Sequence, residues 1–523
     1  MQAKLPVLVA TLLGLTSLYM APSVEGAVPR AKALPKTVTE KRDGRLQHED
    51  HRPPQESDSR ASSTDFDASR FGPDPVYGED NYDPVEQREI YGGKTGFDEP
   101  RPLYEAGYRM YDEGPLGKTH LFMGEKNPAR PQLLVYGDLR TAVVYADKGN
   151  VEQGLFASRL NLDVDLKITG TERIHATFRP LENDDHITSY TFAGANRKDG
   201  VAFANGELES LFFEGDLAAI QSGLTNKYAQ YDLPFAFGLM PMFMQNGVWL
   251  EDAFQGVAVT IPARNSKALD ITNYDVTFFA SWDDITSNAF LKADGTRDED
   301  AARLLGVATF MDVARGYLEA GYAYVEDTRN LAGDLSYHSV TFAFTKRYGS
   351  WLSNSVRLVG NFGQNSAPGL EKTADGYAIL VENSLITHLP TTLVPYLNLF
   401  IGFDKPVPLA RNAGLLKNTG IAFENDGMTG FPTMDDSAND TFGAALGVQY
   451  LFNLDQQLVV ELSTVQTMGN KLNRKAKGTQ YGVGVRYQRP ITDRWIARVD
   501  AVAGMREKDE DFSGIRFELR RKF

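Results

Sequence analysis

From Leu133 to Phe523 the chain alternates, with apolar residues at every second position of short stretches and polar or small residues between them. In the closing stretch Ile515, Phe517, Leu519 and Phe523 fall on one side, while Arg516, Glu518, Arg520 and Lys522 fall on the other. Side chains of a strand point alternately to its two faces, so each stretch is a ribbon with one greasy and one polar surface. Leu233 to Leu250 is the one later apolar run long enough to suggest a helical span, and Pro234 and Pro241 make it a poor helix.

The ends of the apolar faces carry more information than their middles. Tyr481 and Tyr487 bracket Val483 and Val485; Phe442 and Tyr450 bracket Ala444, Leu446 and Val448; Tyr274 and Trp282 bracket Val276, Phe278 and Ala280. Amphipathic rings at both ends of an apolar face suit a strand that crosses a bilayer, one ring at each headgroup level. Backbone in hydrocarbon must pair every N–H and C=O internally, so a set of such strands has to close on itself. The expectation is an all-β protein: a closed antiparallel transmembrane β-barrel of about 16–18 strands over residues 131–523. Long segments, Pro406 to Asp440 and Asp284 to Ala301, contrast with the brief step from Pro490 to Arg494, as if short turns line one rim and long external loops the other.

The first 130 residues differ. Lys4, the apolar stretch Leu5 to Met20 and the small residues near Ala27 read as a signal peptide over 1–27. Residues 28–130 are rich in proline and charge, which predicts a largely disordered periplasmic segment. Its later tyrosines, from Tyr77 to Tyr111, suit a docking piece for a periplasmic protein partner or a plug for the lumen.

Signal peptide, alternating strands and a carboxy-terminal phenylalanine together resemble Gram-negative outer-membrane porins. The resemblance implies that Phe523, with Phe517 and Leu519 on the same face, belongs to the signal read by the barrel-assembly machinery. It further implies an outer-membrane location, a surrounding lipid bilayer, passage of small hydrophilic solutes and an association such as a homotrimer. A fainter likeness is to alginate-export and substrate-selective porins, carried by Phe237 to Met240, Gly247 to Asp252 and Gly256 to Val259. The basic residue expected beside Gly238 is missing, which speaks against export of an acidic polysaccharide.

Within such a barrel the polar face of the last strands is basic, and Arg486, Arg494, Arg498, Arg506, Arg516 and Arg520 form the expected pore-lining wall. Two readings of it stay open: an arginine wall set across the lumen from acidic loops, or arginines that pair with inward carboxylates such as Glu319 and Glu461. Met240, Met242, Phe243 and Met244 are either an apolar constriction or part of a lipid-facing hairpin that turns at Asn246-Gly247. Acidic pairs such as Asp283-Asp284 and Asp435-Asp436 read first as solvated loop surface.

The 523 residues carry a net charge of −15, which excludes a nucleic-acid binder, and contain no cysteine, which excludes thiolate chemistry and covalent haem. The seven histidines are scattered and no nucleophile elbow or phosphate loop is present. No catalytic residues, metal site or cofactor are expected. The leading expectation is a passive or substrate-selective porin; the alternative is a barrel sleeve around a periplasmic partner, either a cytochrome or a polysaccharide-export complex.

Overall fold

The computed structural model describes residues 102–523 apart from 108–120, 122–123, 184–185, 196, 293–294, 330–332, 369–370, 453–455, 470 and 472–473. By internal contacts the chain divides into Met1–Asp83 and Pro84–Phe523, and the described residues belong to the second unit. The expected signal peptide and most of the segment 28–130 lie outside the described residues.

Eighteen strand positions form one antiparallel sheet that closes on itself. The first half comprises β1 (Gln132–Asp147), β2 (Glu152–Lys167), β3 (Arg173–Phe178), β4 (Leu208–Asp216), β5 (Pro234–Met244), β6 (Leu250–Ser266), β7 (Ile271–Asp283), β8 (Ala302–Val313) and β9 (Gly316–Asp327). The second comprises β10 (Tyr337–Tyr348), β11 (Leu352–Phe362), β12 (Asp375–Leu385), β13 (Leu393–Lys405), β14 (Thr441–Phe452), β15 (Gln456–Thr467), β16 (Gln480–Pro490), β17 (Trp495–Arg506) and β18 (Phe512–Lys522). Ser189–Gly194 continues the β3 position along β2 after an excursion of the chain. Each strand pairs with its sequence neighbours, and β18 pairs with β1 from Ser513↔Asp147 to Lys522↔Asp138. At the seam Gly137 and Phe523 exchange backbone hydrogen bonds of 2.9 and 3.1 Å. The expected count of about 16–18 strands resolves to eighteen.

Two rims differ as expected. One has connections such as 168–172, 267–270, 314–315, 349–351 and 491–494, and β1 begins and β18 ends there. This short-turn rim also carries a helix, α1 (Leu217–Thr225), started by the Asp216 carboxylate accepting from the Ala218 and Ala219 amides and stopped by left-handed Asn226. The strand Tyr104–Gly107 pairs with Gln132–Val135 of β1, just past the point where β18 ends, and so covers an edge that the barrel leaves open. The opposite rim carries the long segments 179–207, 284–301 and 406–440.

The alternation sorts as the pleat requires. Phe278, Leu305, Leu446, Leu462, Val483 and Phe517 lie exposed on the outer face. Aromatic residues gather toward its two ends: Tyr377 stacks on Phe403 near the long-loop rim, and Tyr450 meets Phe452 at the short-turn rim, where Arg521 also covers Trp495. No helix among the described residues is long and apolar enough to cross a membrane; strands are the spanning candidates.

The loops depart from expectation. Segment 406–440, read from sequence as a long external loop, folds inward, and Leu409, Leu415, Phe423 and Met434 are buried. Segment 284–301 does likewise through Ile285 and Phe290. Asp435 and Asp436, expected as solvated surface, are buried as well. These loops carry too many large apolar residues to remain in water, and the inner wall of the barrel is the surface on which they bury them. Their side chains join Trp249, Phe254, Phe279 and Tyr337 in one core within the barrel.

Candidate functional site in the lumen

The β5–β6 hairpin tip is the first structure inside the lumen. Positive φ at Gln245, Asn246 and Gly247 makes a tight turn, as the Asn-Gly pair demands. Trp249, fully buried behind it, donates through Nε1 to Ser339 Oγ on β10 at 3.0 Å, and Thr341 Oγ1 donates to Gln245 Oε1 at 2.8 Å. Gly321 on β9 leaves the space that the indole fills, since a Cβ there would lie 2.5 Å from the ring. Met240, Met242 and Met244 face inward with this packing, whereas Phe243 points out and is 64% exposed. Three of the four candidate constriction residues are thus on the lumen side, and Phe243 is not.

Loop 406–440 lies against the hairpin. Ala410 and Arg411 pair in parallel with Leu250 and Glu251 of β6. The fully buried Arg411 donates to Glu251 at 2.8 Å, and Lys417 reaches the same carboxylate at 3.2 Å. Farther along, the amides of Ile421 and Ala422 donate to Glu461 at 2.9 and 3.2 Å, and Tyr396 and Ser463 donate to the same group. A side chain at Gly420 would collide with that carboxylate, with its Cβ 2.3 Å away. Glu461 is therefore the anchor of a loop, not a partner of the arginines. Glu319 likewise faces the Gln245 backbone amide and Arg357, far from the last strands.

The arginines of β16 to β18 are spoken for. Arg486 and Arg498 each donate through Nε to Asp500 at 2.7 Å, and both reach Glu424 of the loop, at 2.6 and 3.2 Å. Arg516 donates to Asp500 at 2.7 Å and to loop Asp426. Arg520 pairs with Asp138 across the seam at 2.5 Å. Arg506 donates to the Thr433 and Lys148 carbonyls and lies over the Phe512 ring. Arg494 stands half-buried at the short-turn rim, where its carbonyl accepts from Lys522. The acidic loop does not face the wall across open water; it sits on it and compensates it. Burial raises the Asp426 carboxyl, but the Arg516 guanidinium and hydrogen bonds from Thr429 outweigh this and hold it below the ordinary carboxylate range. Burial likewise works against Asp436, and Lys475 at 2.5 Å holds it low, while neighbouring Asp435 is pushed up by burial.

Closure extends the wall beyond the residues foreseen. Arg140 with Asp138, Arg159 with Glu182, and Arg179 with Glu209 continue it on and after β1 to β3. Their positions on the polar face of alternating stretches were visible in sequence; that β1 lies beside β18 follows only from closure. These groups keep partial exposure, with Arg140, Arg179, Arg520 and Glu424 each near 30%, so water reaches this side of the lumen. At the long-loop rim the carboxylates of Asp283, Asp284 and Asp300 approach within 4.8 Å of one another. Phe517 lies exposed on the outer face of β18, and Leu519 and Phe523 follow it toward the short-turn rim.

No family model matches the chain, and no curated protein matches it. Among solved structures it is similar to Pseudomonas aeruginosa OccK5 (OpdH), with 10% identity and a TM-score of 0.46 over 75% of this chain and 98% of that one. Pseudomonas aeruginosa OccK11 (OpdR) gives 10% identity and a TM-score of 0.48 over 75% and 96%. The outer membrane protein OpdK of the same organism gives 12% and 0.46 over 74% and 98%.

Proposed function

We propose that the protein is a substrate-selective porin of a Gram-negative outer membrane, through which small hydrophilic solutes diffuse. One observation carries this reading: a closed eighteen-strand sheet with an apolar, aromatic-ended outer face encloses a charged, partly exposed inner wall. A soluble protein exposing that much apolar surface would associate or aggregate, whereas in a bilayer the same face is buried in lipid. The short-turn rim, with both ends of the barrel, is then the periplasmic side, and the lipid-facing end of β18 with Phe523 is what the assembly machinery meets.

The lumen supports selective rather than bulk flow. The chain's own loops occupy much of it, which leaves the sleeve alternative without a free interior to surround a partner. Solutes pass along alternating guanidinium and carboxylate groups, which exchange hydrogen bonds with a polar solute and offer little to an apolar one. In liposomes the protein should admit small hydrophilic solutes at rates that fall with solute size. Vesicles that swell no faster than protein-free ones would reject the reading.

A further inference from the structure

A cavity of about 420 Å³ opens on the side of the lumen away from the arginine wall, between the inner faces of β8 to β12 and the hairpin-tip residue Asn246. We propose that it binds a neutral polyhydroxyl solute, a sugar, and so sets a substrate class for the channel; this deepens the porin reading and rests on it. The volume lies within the roughly 300–1,000 Å³ of small-molecule sites.

The chemistry of the lining favours this class. Phe310 and Tyr317 stack at 5.6 Å and 26°, and both remain more than a third exposed, so they offer an aromatic surface on which the C–H face of a sugar ring can lie. Around it stand groups that match hydroxyls, each of which both donates and accepts. The Ser353 and Ser384 hydroxyls and the Asn246 side-chain amide are free of side-chain partners among the described residues. Glu382 supplies an acceptor and keeps 27% of its side chain exposed.

Charge argues against an anion. Arg357, the one cation of the lining, is buried and already holds Glu382 through Nε at 2.6 Å. A carboxylate ligand would have to displace Glu382 or reach the one unpartnered nitrogen of Arg357, the buried Nη1, and would also face Glu319, leaving the site with an excess of negative charge. A sugar needs no displacement: it hydrogen-bonds to the ion pair as it stands, much as buried polar groups in sugar-sized pockets fix orientation.

The test is calorimetric binding of sucrose to the full chain in detergent, with benzoate as the anionic comparison, and bilayer conductance measured in parallel. Sucrose should bind and benzoate should not. Tyr317→Ala, and separately the double variant Ser353→Ala with Ser384→Ala, should weaken sucrose binding by about tenfold, as expected for the loss of a stacking face or of two hydrogen bonds. All three substitutions lie on the lumen face, and heat-modifiable migration confirms that the variants fold. Equal binding by variants and parent, binding of benzoate instead of sucrose, or no sucrose binding would each overturn the proposal. Sucrose binding without conductance would overturn the channel and leave the site standing; conductance without sucrose binding would do the reverse.

Discussion

Arg516 of the last strand binds Asp426 of the inward loop, ninety residues earlier in the chain, while its other terminal nitrogen holds Asp500 on the adjacent strand. Both Arg516 and Asp426 side chains are at most 5% exposed. The pair is a latch between loop and wall, placed where water cannot screen it.

Replacing Arg516 with methionine leaves Asp426 and Asp500 without their shared partner, at a local cost of about 3–5 kcal/mol. The loop should then exchange its amide hydrogens faster over 421–434 and give a noisier, larger conductance. Pairing the change with Asp426→Asn should recover part of the loss, since the uncompensated charge is removed; hydrogen exchange on the two variants decides whether the residues are coupled.

Gly321 tests the hairpin tip. Valine there collides with the Trp249 indole, which would have to leave its place beside Ser339. Of the four tryptophans, Trp249 is fully buried while Trp282 and Trp351 are exposed. The Gly321→Val protein should therefore show red-shifted emission, and the shift should vanish when Trp249 is also replaced by phenylalanine.

Acid acts on the loop with a defined sign. The depressed Asp426 and Asp436 carboxyls stabilise the inward loop above the ordinary carboxylate pKa of about 4, and that contribution is lost as pH falls through their lower folded values. Asp435 is raised by burial, so its share is greatest in acid and is lost as pH rises through its folded value. Gating noise should accordingly not rise between about pH 7 and pH 5, and should rise only below about pH 4. A rise already at pH 6 would mean that other groups hold the loop.

Deleting Phe523 removes the pair of backbone hydrogen bonds with Gly137 that finishes the seam. On the proposed assembly role, the yield of heat-modifiable protein in the outer membrane should fall by about tenfold or more, an effect the two lost rim hydrogen bonds do not explain, since about 1 kcal/mol each leaves a fold stable by about 5–15 kcal/mol still folded. Folding of the same variant from urea into detergent should be little changed.

The barrel was legible because its determinant is local. Pleat alternation assigns Phe442, Leu446 and Tyr450 to the outside without knowledge of any neighbour, and the rim asymmetry follows from connection lengths. The lumen was not legible, because its contacts join residues far apart. Nothing in the vicinity of Glu461 announces that the amides of Ile421 and Ala422 will cap it, and Arg140 meets the last strands only through closure. One signal was available: Leu415, Ile421, Phe423, Phe431 and Met434 are more apolar than a loop in water requires. The outward Phe243 shows the converse, since a run of apolar residues read as a unit was split by the pleat between lipid and lumen faces.

Single-channel conductance in a planar bilayer tests the central claim, using the detergent-purified full chain beside a variant with residues 415–434 replaced by a short Gly-Ser linker. The account predicts discrete, long-lived steps for the full chain and clearly larger ones for the variant, because the loop occupies the path. Silence from both proteins, once each is shown to be folded and inserted, would contradict it.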